Sequence, residues 1–408
     1  MPDFSHLHLA HLDAPRTSDG RPVAPGQPAV FTEPSDAIRT LSFLSNLAAQ
    51  EATGDPAASM SAELALHALC GTPEMLTDLF AVVSGPVPVG ELSPLGYPLL
   101  ASTSDIPELD YVGFIQLSRP QLEDLGNVEL DCVLDAGYLP LPGTPLEPEA
   151  ADLLAWMLDS GCELAQRLGR ARVLTGMMHA PDDEVLPASL AEVFTRSRFS
   201  RRHAETQLLT RITEADGQAT TGSPVLPDLA NLPGLPGLPE GWQFAAFHNY
   251  DLPADIEPQV VELLTVASQD ANYGEMTVEP VAWTTDRLNE ARRRVHERRS
   301  ETVLVAAIDA TGASRRVRSL AECGRHHGGH AEIAEWTLMV TDRGWRRQGL
   351  ATATTRAALV MARDFWPELN RVYGSAALSD VPARALHARL GSQPIAVTTA
   401  WQRELQFR

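Results

Sequence analysis

Four consecutive residues, Arg346, Arg347, Gln348 and Gly349, could bind a phosphorylated ligand. Two guanidinium groups and an amide favour a diphosphate over a neutral ligand, because arginine pairs well with phosphate oxygens. A helical pattern begins at Gly349, and the first turn of a helix offers unpaired backbone N–H groups with a partial positive charge. The same residues could instead form a solvated turn after an ordinary strand, and their spacing alone leaves both interpretations open.

The segments on either side would position this loop. Residues 335–340 favour a strand, in which Trp336, Leu338 and Val340 share one face. Both faces of this strand are largely apolar, which is typical of a buried central strand. After the loop, apolar residues recur at helical spacing over 350–361. The sequence therefore predicts a buried strand, a basic loop and a helix in succession.

Two motifs in this region resemble those of the GNAT acyltransferase family. Residues 346–351, Arg-Arg-Gln-Gly-Leu-Ala, fit the R-x-x-G-x-A form of its acyl-CoA pyrophosphate loop. Residues 380–391, Asp-Val-Pro-Ala-Arg-Ala-Leu-His-Ala-Arg-Leu-Gly, are similar to its closing N-x-x-A-x-x-L-Y-x-x-x-G segment. Asp380 stands in the Asn position and His387 in the Tyr position. Two motifs in the right order and separation are far more specific than either one alone.

The resemblance extends from about residue 241 to residue 408. The ending 401–405, Trp-Gln-Arg-Glu-Leu, is similar to actinobacterial tandem GNAT proteins of the mycothiol synthase-like type. The step from Val340 to Arg346 is one residue longer than in many relatives. A β-bulge or an adjusted loop could absorb the extra residue.

The resemblance implies an α/β fold with two GNAT-like domains. Each domain would be a mixed, mainly antiparallel sheet with a splayed parallel central strand pair, flanked by helices. The predicted order is an irregular segment (1–34), a degenerate GNAT-like domain (35–220), a linker rich in Pro and Gly (221–241) and a GNAT acyltransferase domain (242–408).

The resemblance also implies acetyl-CoA, or another acyl-CoA, as co-substrate, with no metal. Its pantetheine arm would lie between the splayed strands and bond the main chain of Leu338 and Val340. Asp380 could accept a hydrogen bond from the pantetheine or from a loop amide. The predicted binding residues are Leu338, Met339, Val340, Arg346, Arg347, Gln348, Gly349, Leu350, Ala351, Thr352 and Asp380.

Acylation of an amine needs a base, an oxyanion donor and an acid for the leaving thiolate. Glu335 is the candidate base, because partial burial at the start of the strand would make it more basic. It could also be a solvated or ion-paired glutamate. Glu332 is a competing candidate for the base. His387 stands in the family's acid position, although it could be a surface histidine. Tyr373 is the fallback acid, or else a packed aromatic residue.

Length and composition bound the remaining possibilities. A chain of 408 residues with 44% hydrophobic residues predicts about two or three domains with sizeable cores. No apolar run approaches the roughly 20 residues that cross a bilayer, and residues 1–25 have no signal-like apolar core, so the sequence predicts a cytoplasmic protein. The four cysteines are far apart and predict free, buried thiols.

Charge is divided unevenly along the chain. Up to Glu240 there are 12 arginines against 33 acidic residues, and from Gly241 onward there are 20 of each. The acidic first part is a poor binder of CoA phosphates or nucleic acid; it could attract a cationic amine, although solubility is the simpler explanation. The expected partner is a small-molecule amine, without nucleic acid or membrane. All basic residues other than histidine are arginine, which excludes Schiff-base lysine chemistry and a P-loop lysine.

The first half predicts a GNAT-like scaffold without a phosphate loop. Residues 128–134 favour the central strand and residues 148–168 the helix after it. Between them, residues 135–145 contain no Arg or Lys, and three prolines remove backbone donors that such a loop needs. Strands at 172–176 and 205–212 would complete this half.

Three histidines, His326, His327 and His330, precede the predicted central strand and could suggest a metal site. Two intervening glycines disfavour the helix that would align His326 with His330, and no Cys or carboxylate lies at ligand spacing. The sequence therefore favours a loop over a metal centre.

Two functions fit these observations. The first is an acyl-CoA-dependent N-acyltransferase, most simply an N-acetyltransferase, that acts on a small primary amine by direct attack. The alternative is a non-catalytic protein that keeps the fold and binds acyl-CoA as a sensor or assembly module. The intact loop favours the first, and the Asp380 and His387 departures favour the second.

Overall fold

The structure, a computed structural model, describes most of the chain and contains thirteen strands and eight α-helices in that part. The described residues are 4–15, 33–55, 61–88, 90–103, 109–140, 143–212, 240–297, 300–326 and 330–406. Nearly all of the predicted linker at 221–241 lies outside them, as does most of the predicted irregular segment at 1–34. None of the helices in the described ranges is both long enough and apolar enough to cross a bilayer.

Strands and helices are interspersed along the chain. The strands are β1 (Leu7–Leu12), β2 (Met75–Ser84), β3 (Leu99–Leu100), β4 (Asp110–Pro120), β5 (Asn127–Leu134), β6 (Arg172–His179), β7 (Ser200–Arg211), β8 (Trp242–His248), β9 (Ser300–Asp309), β10 (Arg316–His326), β11 (Ile333–Thr341), β12 (Arg371–Ala377) and β13 (Gln393–Glu404). The helices are α1 (Asp36–Thr53), α2 (Ala62–Ala68), α3 (Pro148–Arg167), α4 (Val185–Arg196), α5 (Glu257–Asp270), α6 (Thr285–Glu297), α7 (Leu350–Phe365) and α8 (Val381–Arg389).

The chain forms two compact units, and each takes residues from more than one part of the sequence. Unit 1 contains residues 1–204, 274–278 and 396–408, and unit 2 contains residues 205–273 and 279–395. The strand predicted at 205–212 was assigned to the first half, and this was wrong: residues 205–211 pair with β12 in unit 2. Strand pairing over such sequence distances is not encoded in the local pattern that identifies a strand.

Unit 1 has the strand order β3-β1-β2-β4-β5-β6-β13, and β13 contributes residues 397–404. All of its described strand pairs are antiparallel except β1 with β3 and β5 with β6. One core packs around α3 and includes Leu130 and Met157, and another contains residues of α1 and α2 such as Ile38. The predicted central strand and the helix after it are confirmed as β5 and α3.

Unit 2 has the strand order β7-β12-β11-β10-β9-β8, in which only β11 and β12 run parallel among the described pairs. Helix α7 covers one face, where Ala353, Ala357 and Trp366 are buried. The alanines are four residues apart, so they lie on one side of the helix and allow it close to the sheet. Helices α5 and α6 cover the other face through residues such as Leu263 and Leu288.

A β-bulge in β11 sets which side chains reach each face. Trp336 lies opposite Cys323 and Leu338 lies opposite Glu322, so Thr337 is the extra residue. Trp336 consequently packs on the α7 side, while Leu338 packs on the α5 and α6 side. The sequence placed both side chains on one face, and this was wrong, because one inserted residue reverses the alternation.

Candidate active site: the cleft between β11 and β12

The parallel pairing of β11 with β12 covers only three residue pairs, from Ile333 with Arg371 to Glu335 with Tyr373. Beyond Glu335, β11 continues beside β10, and β12 continues beside β7. A gap therefore opens between the two strands. The main chain of β11 after Glu335 turns hydrogen-bonding groups toward this gap, and such groups require partners.

The gap widens into a cleft of about 1420 Å³. Its walls come from β11, from the loop and first turn of α7, from the end of α5 and from α8. All residues that the sequence assigned to cofactor binding line the cleft except Gln348, whose side chain is exposed. Those in the lining are Leu338, Met339, Val340, Arg346, Arg347, Gly349, Leu350, Ala351, Thr352 and Asp380.

Gly349 begins α7 in a left-handed conformation with φ of 81°. No heavy atom lies within 4 Å of the position that a Cβ would occupy, so the space beside this residue is open to the cleft. The first helical bond runs from the Ala353 N–H to the Gly349 carbonyl at 3.1 Å. The N–H groups of the three residues between them have no intrahelical acceptor and can bind an anion.

Arginines surround the mouth of the cleft, and one carboxylate forms ion pairs with two of them. Asp270, at the end of α5, pairs with Arg346 and accepts two hydrogen bonds from Arg343, at 2.6 and 3.0 Å. The bond from Arg343 is the main cause that lowers the pKa of Asp270 to about 2. Arg346 also donates from Nε to the Thr341 carbonyl at 3.1 Å. Arg347 is exposed in the lining, with φ of 64°.

Asp380 stabilises the start of α8. Its Oδ1 accepts a hydrogen bond from the Ala383 N–H at 2.9 Å, so the carboxylate caps the helix. This partner is a helix amide, so the pantetheine and loop-amide contacts considered from the sequence stay predictions. An aspartate at this position therefore has a structural partner within its own helix.

His387 is buried, with 1% of its surface exposed. Its Nδ1 lies 3.3 Å from the Ser392 hydroxyl, and its ring lies against Gly374 at the point where β12 leaves β11. Burial lowers the pKa of His387, although a bond with the Ser375 backbone opposes this. A lower pKa leaves less imidazolium at neutral pH, which weighs against His387 as the acid.

The two candidate glutamates have different surroundings. Glu335 is exposed, so the partial burial expected for the base is absent. It lies opposite the half-buried Tyr373 in the short parallel ladder. Glu332, the competing candidate, forms an ion pair with Arg371. The catalytic roles of Glu335, His387 and Tyr373 stay predictions.

The sequence interpretation missed a buried carboxylate next to the bulge. Glu322 is 3% exposed, and its Oε1 accepts hydrogen bonds from the hydroxyls of Thr337 at 2.5 Å and Tyr250 at 2.9 Å. Burial raises the pKa of Glu322, and the two hydrogen bonds partly offset this. A single acid inside the apolar stretch 320–323 was the signal available in the sequence.

Unit 1 contains a similar strand separation but a different loop. The parallel pairing of β5 with β6 also covers three residue pairs, from Asn127 with Arg172 to Glu129 with Leu174. After β5 the chain forms a 3-10 turn, Ala136–Tyr138. In this turn the Gly137 N–H donates a hydrogen bond to the Asp135 carboxylate. Residues 135–145 carry no arginine or lysine, so this loop lacks the charge found before α7.

No group of three His, Cys, Asp or Glu side chains in the described part of the chain is placed to hold a metal ion. His327 lies outside the described residues, and so does the side chain of His326. The predicted preference for a loop over a metal centre at these histidines therefore stays a prediction.

Two solved structures resemble this chain over nearly its full length. One is a tandem GNAT protein from the clavulanic acid biosynthesis pathway, without AcCoA; it shares 18% identity with a TM-score of 0.61, over 98% of this chain and 99% of its own. The other is a GCN5-related N-acetyltransferase from Sphaerobacter thermophilus, with 15% identity and a TM-score of 0.58, over 99% of this chain and 96% of its own. No family model matches the chain, and no curated protein matches it significantly.

At these identities the likeness establishes the fold. The chain has the tandem GNAT fold, which confirms the predicted fold class. The mycothiol synthase-like subtype stays a prediction.

Gly374→Ala should destabilise the base of the cleft. The new Cβ would lie 3.0 Å from Trp336 Cδ1 and 3.1 Å from His387 Cε1, so both side chains must move. We expect a loss of about 1–2 kcal/mol, measured as a lower urea midpoint. Gly312→Ala is the matched control, because its nearest contact would be 3.8 Å away. Equal midpoints for the two variants would show that the close packing around Gly374 is not required.

Asp270→Asn should tighten the binding of a diphosphate ligand such as CoA, because it frees Arg346 from a competing carboxylate. An exposed ion pair contributes about 1 kcal/mol or less, so the expected gain in affinity is up to about fivefold. Calorimetric titration at low and high salt measures it, and the gain should shrink at high salt. Asp255→Asn, which breaks the exposed pair with Arg315, is the control. Weaker binding by Asp270→Asn would show that Asp270 orients Arg346 instead of competing for it.

Proposed function

We propose that this protein is an acyl-CoA-dependent N-acyltransferase that transfers an acyl group, most simply acetyl, to a small-molecule primary amine. The observation that carries the proposal is the strand gap between β11 and β12, which leads to a basic loop at the start of α7. The two solved structures of the same fold are GNAT proteins, which supports this assignment.

The residues of the cleft fit an acyl-CoA. Pantetheine is an extended chain of amides, and the unpaired edge of β11 after Glu335 can bond it as a neighbouring strand would. The N–H groups at the start of α7 and the guanidinium of Arg347 suit the diphosphate. The missing side chain at Gly349 lets phosphate oxygens approach the main chain. When bound, acyl-CoA would supply a thioester as the acyl donor.

The chain itself would contribute orientation and charge stabilisation. A backbone N–H of Leu338, Met339 or Val340 that faces the gap can donate to the oxygen that becomes negative during acyl transfer. The apolar side chains of this stretch are half-buried or buried and line the cleft, so they limit water around the reacting groups.

Direct attack by the amine fits the available nucleophiles better than an acyl-enzyme intermediate. All four cysteines are free, but none lines the cleft in the described structure. Burial raises the pKa of Cys70 to about 11 and that of Cys162 to about 12, and it raises the pKa of Cys323 well above its usual range. Thiolates are therefore scarce at neutral pH. The chain also has no lysine.

A second candidate function is non-catalytic binding of acyl-CoA for sensing or assembly. The observations in its favour are the burial of His387 in the family's acid position and the exposure of Glu335. Both would weaken proton transfer at the predicted acid and the predicted base. The cleft itself is the same in both proposals.

Gly349→Glu should abolish the binding of acetyl-CoA to the full chain. The carboxylate would occupy the open space in front of α7, where the diphosphate is proposed to lie. An anion at a helix N-terminus is favourable for the helix, and strain at this φ costs about 1–3 kcal/mol, so the variant should remain folded. We expect calorimetric affinity to fall at least about 100-fold, the equivalent of about 2.7 kcal/mol.

Gly312→Glu, in the loop between β9 and β10, is the control for added charge and should bind acetyl-CoA like the wild type. Wild-type affinity in the Gly349→Glu variant would contradict the proposed position of the diphosphate. Absence of binding to the wild-type chain would contradict both the enzyme and the sensor.

Release of free CoA thiol should depend on an added primary amine. A thiol-reactive dye follows acetyl-CoA turnover across a panel of small amines, amino acids, polyamines and aminosugars. The enzyme proposal predicts amine-dependent release that rises with pH, because the neutral amine is the nucleophile. Calorimetric binding of acetyl-CoA without release for any amine in the panel would favour the sensor.

A further inference from the structure

A buried carboxylate lies on β10, directly beside the bulge that lines the cleft. Glu322 is opposite Leu304 on β9 and Leu338 on β11, which are both apolar. Residues that α5 and α6 bury on this side of the sheet, such as Leu263 and Leu288, are also apolar. An ionised carboxylate in such surroundings is costly unless hydrogen bonds compensate for lost hydration.

The hydrogen bonds of Glu322 satisfy only one of its two oxygens. Oε1 accepts from the Thr337 hydroxyl at 2.5 Å and from the Tyr250 hydroxyl at 2.9 Å. Oε2 is buried and has no hydrogen-bond partner in the described structure. A buried acid with one unsatisfied oxygen lowers the stability of the fold. Such groups are concentrated at functional sites.

Thr337 connects this carboxylate to the cleft. It is the extra residue of the bulge, its side chain is exposed and it lines the cleft. Its hydroxyl gives its proton to Glu322, so the lone pairs of that oxygen are free to accept from a donor in the cleft. Because of the bulge, Thr337 contacts both the solvent in the cleft and the buried carboxylate of Glu322.

We propose that Glu322 draws the proton from the acceptor amine through the Thr337 hydroxyl, with Thr337 as the catalytic residue and Glu322 as the positioning residue. This inference rests on the proposed acyl transfer. As the nitrogen forms its bond to the carbonyl carbon, its proton passes to Thr337 Oγ1, and the proton of that hydroxyl passes to Glu322 Oε1. The C–S bond breaks, and sulfur leaves with the bonding electrons and takes a proton from solvent.

The surroundings of Glu322 suit this role better than those of Glu335. Burial makes Glu322 more basic, whereas the exposed Glu335 lacks that environment. The charged and titratable groups near Glu322 are Tyr250, its sequence neighbour Cys323, and Arg294 on α6, which acts on Tyr250. Arg292, also on α6, holds the Tyr250 carbonyl with two hydrogen bonds, at 2.9 and 2.5 Å.

The first test compares Glu322→Gln, Thr337→Val and Thr337→Ser in the full chain, with the most active amine of the panel. Glu322→Gln and Thr337→Val should each lower kcat/KM about 100-fold or more, with unchanged acetyl-CoA affinity by calorimetry. Thr337→Ser keeps the hydroxyl and should retain most of the activity. With rates expressed per neutral amine, the wild-type kcat/KM should fall as pH drops through the pKa of Glu322, and Glu322→Gln should lack that acidic limb. Glu335→Gln should keep it.

A second variant separates proton transfer from a merely structural role. The hydrogen bond from Tyr250 lowers the pKa of Glu322, so Tyr250→Phe should move the acidic limb to higher pH. Infrared titration follows the same group without any acceptor. The wild type should show a carboxylic C=O band that titrates above the ordinary glutamic acid value of about 4.3, and this band should be absent from Glu322→Gln.

The outcomes distinguish this inference from the function on which it rests. A wild type that releases no thiol with any amine overturns acyl transfer itself. An active wild type whose Glu322→Gln variant keeps its rate and acidic limb overturns only the role of Glu322. An infrared band for Glu322 that titrates in the ordinary range overturns that role as well.

Discussion

Two parallel strands that stop pairing after three residues leave backbone donors and acceptors without strand partners in the interior of a sheet. A buried backbone group without a partner costs about 1–3 kcal/mol, so this arrangement needs either water or an extended ligand in the gap. Other features of the cleft depend on this gap. The bulge at Thr337 places a side chain in the lining, and Gly349 leaves open space at the start of α7. A sheet that closed here would remove the site without changing a single side chain.

The two units show that this backbone feature alone does not decide function. Both have a parallel pair that separates after three residues. Only in unit 2 is the first strand of the pair, β11, followed by arginines and by a helix that begins at a glycine. In unit 1 the corresponding loop is rich in proline and contains no basic residue. The same fold can therefore carry a phosphate site in one half and none in the other, because the site depends on loop chemistry.

Local patterns were enough to predict the elements around the cleft. A strand-favouring run with two largely apolar faces identified β11, and helical spacing identified α7. The basic loop between them lines the cleft, apart from Gln348. The buried network was missed because its partners are distant in sequence: Tyr250 and Glu322 are 72 positions apart. The contact of Asp270 with Arg346 spans 76 residues and was missed for the same reason. The bulge at Thr337 also reversed the faces of β11, and no local pattern marks an inserted residue.

The division of the strands between the units has a consequence for synthesis on the ribosome. All eight residues of β6 pair with residues 397–404 of β13, while only its first three residues pair with β5. At about 5–20 residues per second, those partners emerge about 220 residues and roughly 10–45 s after β6 itself. During that interval β6 is an open strand edge, which can pair with another nascent chain. Recovery of this protein in a heterologous host should therefore depend on how well chaperones shield that edge while translation continues.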